Sequence, residues 1–244
     1  MRIVVTNCNT TQEMTEEIVR GARAAAGPGT TVLGLTPGWG PESAEGWLDS
    51  YLSAAAVMDA LRTYEGPAYD AVVMAGFGEH GREGVRELVD VPVVDITEAA
   101  AHLACLLGRR YGVVTTLERS CGQIEDSLEL AGVARNCAAV IGTGLGVLEL
   151  EDAERTEAAF LTAAERARDA GAEVLVLGCA GMTGLQQAVS EKLGVPVVDG
   201  VGAAVKLAES LVGLGLRTSR VAGYATPLPK RRGWGRSGGG AQAD

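Results

Sequence analysis

The chain has 244 residues, enough for one large domain or two small ones, and its 21 basic and 31 acidic residues give a net charge of −10. Hydrophobic residues make up 47% and aromatic residues only 4% of the sequence, which is typical of a soluble globular protein without base-stacking surfaces. An acidic chain without a basic patch is a poor partner for nucleic acid or for an anionic membrane, so we expect neither.

Nothing in the sequence indicates secretion or membrane insertion. The residues after Met1 are a short strand-like run rather than a signal peptide, and no apolar run is long enough to cross a bilayer. The five cysteines have neither a paired nor a metal-ligand spacing, which favours free thiols in a cytoplasmic protein.

The predicted elements alternate between strands and helices. In the first part of the chain, strands are predicted at 2–7, 30–36, 69–77 and 91–96, and helices at 11–27, 43–64, 82–88 and 97–110. In the second part, strands are predicted at 111–116, 137–143, 173–179 and 195–200, and helices at 118–131, 152–171, 184–193 and 201–213. Strands separated by helices predict parallel sheets covered by helices on both faces.

An internal repeat divides this pattern in two. The stretch "VMAGFGEHGREGVRELVDVPVVDITEAA" aligns with "VLGCAGMTGLQQAVSEKLGVPVVDGVGAA", so that Gly76 lies over Cys179 and the motif V-P-V-V-D occurs twice. We therefore predict an α/β fold of two pseudo-symmetric domains, each a mostly four-stranded parallel sheet, with an active-site cleft between them. The first would comprise 1–95 plus 206–220 and the second 96–205, with a disordered tail at 221–244.

The carboxyl ends of the predicted strands are the candidate site. In open parallel sheets, ligands bind in the crevice beyond these ends. The pairs Thr10–Glu13 and Thr115–Glu118 have the spacing of a capping box, and Thr183 is a plausible N-cap. Helix N-termini aimed at one cleft would stabilise anionic oxygens, such as those of a carboxylate or an enolate.

Cys179 is the candidate acid or base because it follows an apolar strand and lies between small residues. A thiol beside a helix N-terminus has a lowered pKa and can move a proton at a carbon next to a carbonyl. Two facing thiols would give a two-base racemase, but Gly76 removes one of the pair. The sequence contains no G-x-G-x-x-G that opens a helix, no Walker motif and no clustered ligands, so we expect neither a cofactor nor a metal.

The opening "VVTNCNT", the strand end "AGFGE", the run "VVTT" and "LGCAGM" together resemble the Asp/Glu/hydantoin racemase superfamily, and most closely its hydantoin and allantoin racemases. The resemblance runs from Met1 to about residue 220. It implies a cofactor-independent isomerase with two α/β domains, one catalytic Cys on each, a small-molecule substrate such as a 5-substituted hydantoin, and a homo-oligomeric assembly.

Carried over position by position, the resemblance implies that Cys179 is the second catalytic cysteine. It also implies a set of substrate-binding residues, which we extend with the small residues around Cys179: Asn9, Gly76, Phe77, Gly78, Thr115, Thr116, Gly178, Ala180 and Gly181. Four positions depart from the family pattern. Gly76 replaces the first catalytic Cys, Glu79 and His80 replace the Asp-Pro that follows it, and Cys8 replaces a Pro.

These departures leave alternatives open. His80, Cys8 or Cys121 could supply a second base in a racemase. A single-cysteine decarboxylase similar to the arylmalonate decarboxylases would use Cys179 as its lone acid. A binding protein that has lost turnover is the third interpretation.

Overall fold

The structure, a computed structural model, describes residues 1–151, 153–180 and 186–234. Its first half alternates four strands with four helices: β1 (Arg2–Thr6), α1 (Gln12–Ala25), β2 (Thr31–Leu35), α2 (Trp47–Arg62), β3 (Ala71–Met74), α3 (Arg82–Leu88), β4 (Val93–Asp95) and α4 (Ile96–Leu107). The second half repeats the alternation: β5 (Tyr111–Thr115), α5 (Cys121–Leu130), β6 (Cys137–Gly142), α6 (Ala153–Asp169), β7 (Val174–Leu177), α7 (Gln186–Leu193), β8 (Val197–Asp199) and α8 (Gly200–Gly213).

The strands form two parallel sheets of four, in the orders β2-β1-β3-β4 and β6-β5-β7-β8. The pairs β3–β4 and β7–β8 share their register: Val73 lies opposite Val94 in the first sheet, and Val176 lies opposite Val198 in the second. The predicted α/β class and the two four-stranded sheets are thereby confirmed. The common strand order reflects the internal repeat in three dimensions.

Small residues allow helices to approach these sheets closely. At Gly112 in β5, an added Cβ would stand 2.9 Å from the Cβ of Ala167 and 3.0 Å from that of Ala172. The strands themselves are almost entirely buried, as expected for parallel sheets covered on both faces. The abundance of glycine and alanine in the sequence thus serves the packing of α6 on β5.

The repeated V-P-V-V-D has a structural reason. Each Asp ends a strand and caps the helix that follows at once: Asp95 accepts hydrogen bonds from Thr97 N and Glu98 N, and Asp199 accepts them from the first turn of α8. At Asp95 the Glu98 side chain also accepts from the backbone N–H of Asp95, which completes a capping box.

The capping boxes predicted elsewhere are wrong. The N-cap of α1 is Thr11 rather than Thr10, and its side chain makes no capping hydrogen bond. Glu118 opens a 3-10 turn that precedes α5, so Ser120 rather than Thr115 is the N-cap of that helix. Both places have the Thr-x-x-Glu spacing of a capping box, but neither helix begins at the predicted threonine. Thr183, the third predicted cap, lies outside the described residues.

Helices α4 and α8 pack on each other where the two sheets meet. Helix α4 follows the first sheet but packs against β7, whereas α8 follows the second sheet and packs against α1 and β3. Each sheet is therefore covered in part by the helix that follows the last strand of the other sheet. This exchange holds the carboxyl ends of both sheets at one cleft.

Part of the tail predicted to be disordered has defined contacts. Residues Ala222–Tyr224 form a 3-10 turn, and the Tyr224 hydroxyl donates a hydrogen bond to Glu83 on α3. The Arg62 guanidinium lies 5.0 Å from the centre of the Trp234 ring. These contacts attach residues 221–234 to the first half, and residues 235–244 lie outside the described part of the chain.

Candidate active site

A cavity of about 480 Å³, including the part open to solvent, lies between the carboxyl ends of the two sheets. In each sheet the order in which strands are added reverses between the two central strands, which are β1 and β3 in one sheet and β5 and β7 in the other. Parallel sheets form ligand crevices at such a point. Ten of the predicted site residues line the cavity: Cys8, Asn9, Gly76, Phe77, His80, Thr115, Thr116, Gly178, Cys179 and Ala180.

Of the other two predicted site residues, Gly78 lies in the loop after β3 but does not line the cavity, and Gly181 lies outside the described residues. Within the described part of the chain, no group of three or more His, Cys, Asp and Glu residues could hold a metal ion. No described helix is both long enough and apolar enough to span a bilayer.

The loop after β1 is held rigid by its own amide side chains. The Asn7 amide donates to Asn9 Oδ1 at 2.8 Å and to Thr15 Oγ1 at 3.1 Å, and Asn9 Oδ1 also accepts from Thr11 N at 3.0 Å. Both asparagines are buried. Because the amides fix the backbone on either side of Cys8, its thiol has a defined place in the cavity wall.

The loop after β3 is fixed by residues of two helices. Gly78 N donates to Thr97 Oγ1 at 2.8 Å, and Gly78 O accepts from Ser127 Oγ at 3.0 Å. Gly78 adopts φ of +121°, a conformation that favours glycine. The turn aims the preceding residues, Gly76 and Phe77, at the cavity.

In the second half, Thr115 and Gly178 hold the ends of β5 and β7 together. Gly178 N donates to Val114 O at 2.7 Å, and the Thr115 hydroxyl donates to Gly178 O at 3.0 Å. A Cβ on Gly178 would stand 2.7 Å from that same backbone oxygen, so only glycine fits. This close strand contact places Cys179 beyond the end of β7, in the cavity wall.

Cys8 and Cys179 influence each other across the cavity. Burial, as the larger cause, and negative charge on Cys179 together raise the pKa of the Cys8 thiol to about 12. Cys8 is therefore a protonated thiol at neutral pH. Two like charges so placed disfavour each other, which indicates that at most one of the two sulfurs is ionised at a time.

Gly76 has no space for a side chain. A Cβ there would stand 2.7 Å from the Cβ and 3.0 Å from the Sγ of Cys8, and it would also meet Cδ2 of the His80 ring. The space that a cysteine at this position would need is filled by those two side chains. A cysteine at residue 76 would therefore require these two side chains to move.

His80 is buried and neutral. Its Nε2 lies 3.3 Å from Phe77 O, and burial lowers the pKa of the ring to about 4. The ring edge that approaches residue 76 carries a C–H group, Cδ2, rather than an acceptor nitrogen. This arrangement suits packing better than proton transfer at residue 76.

Sequence reasoning missed several residues of the cavity, among them Ala44, Ser120, Gln123 and Val147. The Gln123 amide donates to Glu79 O at 3.0 Å and to Ser50 Oγ, which ties α5 to the first half. Glu45 Oε1 accepts from Val147 N at 2.9 Å across the cleft. These residues stand on loops or on a helix face with no motif, so no local sequence signal would have found them.

The sequence matches the profile of the Asp/Glu/Hydantoin racemase family over residues 3–208. The chain belongs to this family. The hydantoin racemase of Rhizobium meliloti is 40% identical over 232 residues, which is 94% of this chain and 96% of the relative. The resemblance inferred from the sequence motifs is thereby confirmed.

Solved structures agree with the family assignment. The allantoin racemase of Pseudomonas fluorescens superposes with a TM-score of 0.92 at 55% identity, and the match covers 95% of this chain and 99% of that one. The structure of an arylmalonate decarboxylase superposes with a TM-score of 0.61 at 20% identity, over 92% and 97% of the two chains, and shows a shared fold alone. The decarboxylase alternative is not favoured by these comparisons.

Proposed function

We propose that the protein is a racemase that acts on a small cyclic ureide, a 5-substituted hydantoin or allantoin, with Cys179 as a catalytic acid and base. One observation carries the proposal: in a chain of the Asp/Glu/Hydantoin racemase family, the Cys179 thiol lines the cavity at the end of β7. The relatives at 40% and 55% identity are a hydantoin racemase and an allantoin racemase, which supports this substrate class.

The chemistry suits a thiolate. The chiral carbon of a hydantoin lies next to a carbonyl, so loss of its proton gives an enolate whose charge needs hydrogen-bond donors. The buried amide of Asn9 and the hydroxyl of Thr116 line the cavity and are the proposed donors to this charge. Thr115, whose hydroxyl donates to Gly178 O, and the backbone of Phe77 and Ala180 are further proposed substrate contacts. Return of a proton to the opposite face completes racemisation.

The wall of the cavity also suits the polarity of the proposed substrate. It combines polar groups with apolar ones such as Met14 and Val147. A charge-neutral ring with two carbonyl groups matches such a wall better than a dicarboxylate does. We further propose that the enzyme needs no cofactor and works as a homo-oligomer in the cytoplasm.

The test is to incubate the purified protein with each enantiomer of 5-isobutylhydantoin and of allantoin in deuterated buffer. Loss of optical rotation together with deuterium uptake at the chiral carbon, above the rate in buffer alone, is the expected result, and dialysis against a chelator should not reduce it. Cys179→Ala should abolish the loss of optical rotation. An inert wild-type protein, or a Cys179→Ala variant that still racemises either enantiomer, would refute the proposal.

A further inference from the structure

Cys8, Gly76 and His80 meet at one point of the cavity wall. They are three of the four positions at which the chain departs from the pattern that the resemblance implies, which has Pro, Cys and Pro there. The structure brings these three residues together, because a Cβ on Gly76 would contact Cys8 on one side and the His80 ring on the other. Residues 68 positions apart in the sequence thus share a single contact, and the side chains of Cys8 and His80 occupy the space beside Gly76.

The Cys8 sulfur lies within contact distance of the place where a side chain at residue 76 would begin. It lies 3.0 Å from the position of a Cβ at residue 76, and both residues line the same cavity. Residue 76 is the repeat counterpart of Cys179, so a thiol beside residue 76 faces the second half of the site. We propose that Cys8 is the second catalytic acid and base, taking over from the end of β1 the role that the family pattern gives to residue 76.

The electrostatics of the pair are consistent with this assignment. Cys179 raises the pKa of the Cys8 thiol, which requires the two sulfurs to be close enough to interact. One of them can be a thiolate while the other keeps its proton. A two-base racemase needs this combination, because one group must accept a proton while the other has one to give.

The proton transfers balance without any further reactant. The Cys179 thiolate takes the proton from the chiral carbon, and the C–H electron pair becomes part of the enolate. The Cys8 thiol then gives its proton to the opposite face, which leaves Cys8 as the thiolate and Cys179 as the thiol. The opposite enantiomer uses the two sulfurs in reverse order and restores the starting state.

His80 is the competing candidate, and its geometry is less suitable. The ring presents Cδ2 to residue 76, while Nε2 is engaged with Phe77 O. Nδ1 is buried and has no hydrogen-bond partner among the described residues. The ring fills the space on the other side of Gly76 from Cys8.

The inference rests on the proposed function, and the experiment separates the two. Wild type, Cys8→Ala, Cys8→Ser and Cys179→Ala are each given the separate enantiomers of 5-isobutylhydantoin in deuterated buffer. Proton NMR follows exchange at the chiral carbon, and chiral chromatography follows inversion. Cys105→Ala, which alters a thiol on α4 away from the cavity, is the matched control, and circular dichroism confirms folding. The Ser variant keeps nearly the same volume if Ala disturbs packing.

Wild type and Cys105→Ala should exchange and invert both enantiomers. Both Cys8 variants should lose inversion by at least about 100-fold yet still exchange one enantiomer, because Cys179 alone can remove and return a proton on one face. Cys179→Ala should exchange only the other enantiomer.

Two results would overturn the assignment while leaving the racemase function intact. One is a folded Cys8→Ser or Cys8→Ala variant that inverts both enantiomers within about threefold of wild type. The other is exchange of the same enantiomer by both single variants. If wild type neither exchanges nor inverts either enantiomer, the proposed function fails, and the role of Cys8 fails with it.

Discussion

The two halves share a scaffold and differ in where they carry a thiol. In the second half, Cys179 directly follows β7. In the first half, the equivalent place after β3 is Gly76, and the thiol lies on Cys8 after the neighbouring strand β1. Both sulfurs nevertheless line one cavity, because β1 and β3 pair side by side and end at the same edge of the sheet. A thiol at the end of either of two neighbouring strands can thus reach the same cavity in the same fold.

Gly178 and Gly76, the glycines at the ends of β7 and β3, are required by different neighbours. Gly178 is required by backbone, since a Cβ there would meet Val114 O. Gly76 is required by side chains, since a Cβ there would meet Cys8 and His80. Side chains can be exchanged, whereas the strand backbone cannot be moved at low cost. The first half is therefore the one in which the position of the thiol could change.

Removal of the Cys179 thiol should have the largest effect. We expect Cys179→Ala to lower the rate of racemisation by about 10²- to 10⁴-fold, the usual contribution of a positioned acid or base, while the melting temperature stays close to that of wild type. Steady-state polarimetry measures the rate. Cys105→Ala is the control and should keep wild-type turnover, and equal losses in the two variants would contradict the assignment.

The two repeated aspartates should differ in their effect on stability. Asp95 is buried, caps α4 and lies 3.7 Å from the buried Arg82 guanidinium, whereas Asp199 is partly exposed and caps α8. We expect Asp95→Ala to cost about 3 kcal/mol of unfolding free energy, because it removes a cap and one partner of a buried charge. Asp199→Ala should cost about 1 kcal/mol.

Urea unfolding of both variants at pH 7 tests this prediction. The comparison holds the sequence motif constant and changes only the environment of the aspartate. Equal losses of unfolding free energy in the two variants would show that the buried charges around Arg82 add nothing to the cap at Asp95.

His80 should make the stability of the first half sensitive to acid. The pKa of its ring is lowered from 6.5 to about 4 in the folded state, so the unfolded chain binds the extra proton first. Stability from this residue is full above about pH 6.5 and is lost as the pH falls toward 4, by at most about 3 kcal/mol.

The difference between wild type and His80→Gln isolates this contribution from the other titrating groups. Unfolding free energies of the two proteins should converge, or cross in favour of the variant, as the pH is lowered from 6.5 to 4. Parallel curves over this range would show that the ring can accept a proton without leaving its buried place.

Restoring a cysteine at residue 76 should not raise activity by itself. Gly76→Cys places a Cβ against Cys8 and His80, and such overpacking usually costs about 1–3 kcal/mol. We expect a lower melting temperature and no gain in turnover. An unchanged melting temperature with increased turnover would contradict the contacts at Gly76.

The triple variant Cys8→Gly, Gly76→Cys, His80→Ala removes both obstacles and should recover inversion of both enantiomers. The double variant Cys8→Gly, His80→Ala is its matched control, since it has the same space but no thiol on this side. Circular dichroism of both variants establishes that they fold. Equal inversion rates in the two variants would show that a thiol at residue 76 does not supply the second acid and base.

The sequence by itself determined the architecture. Alternating apolar and amphipathic segments predict parallel sheets, and the repeat of V-P-V-V-D predicts two similar halves, because a buried strand followed directly by an Asp-capped helix has a local sequence pattern. It also determined most of the cavity wall, since the ends of parallel strands meet at one edge. Ten of the predicted site residues line the cavity for this reason.

Only the tertiary structure decided what surrounds Gly76. Cys8, Gly76 and His80 are distant in sequence or separated by a turn, and their contact arises from the pairing of β1 with β3 and the path of the loop that follows. Gln123 and Glu45, which bridge the halves, likewise carry no local pattern. Periodicity reports whether a residue is buried, but only the packed structure shows which side chains share a wall.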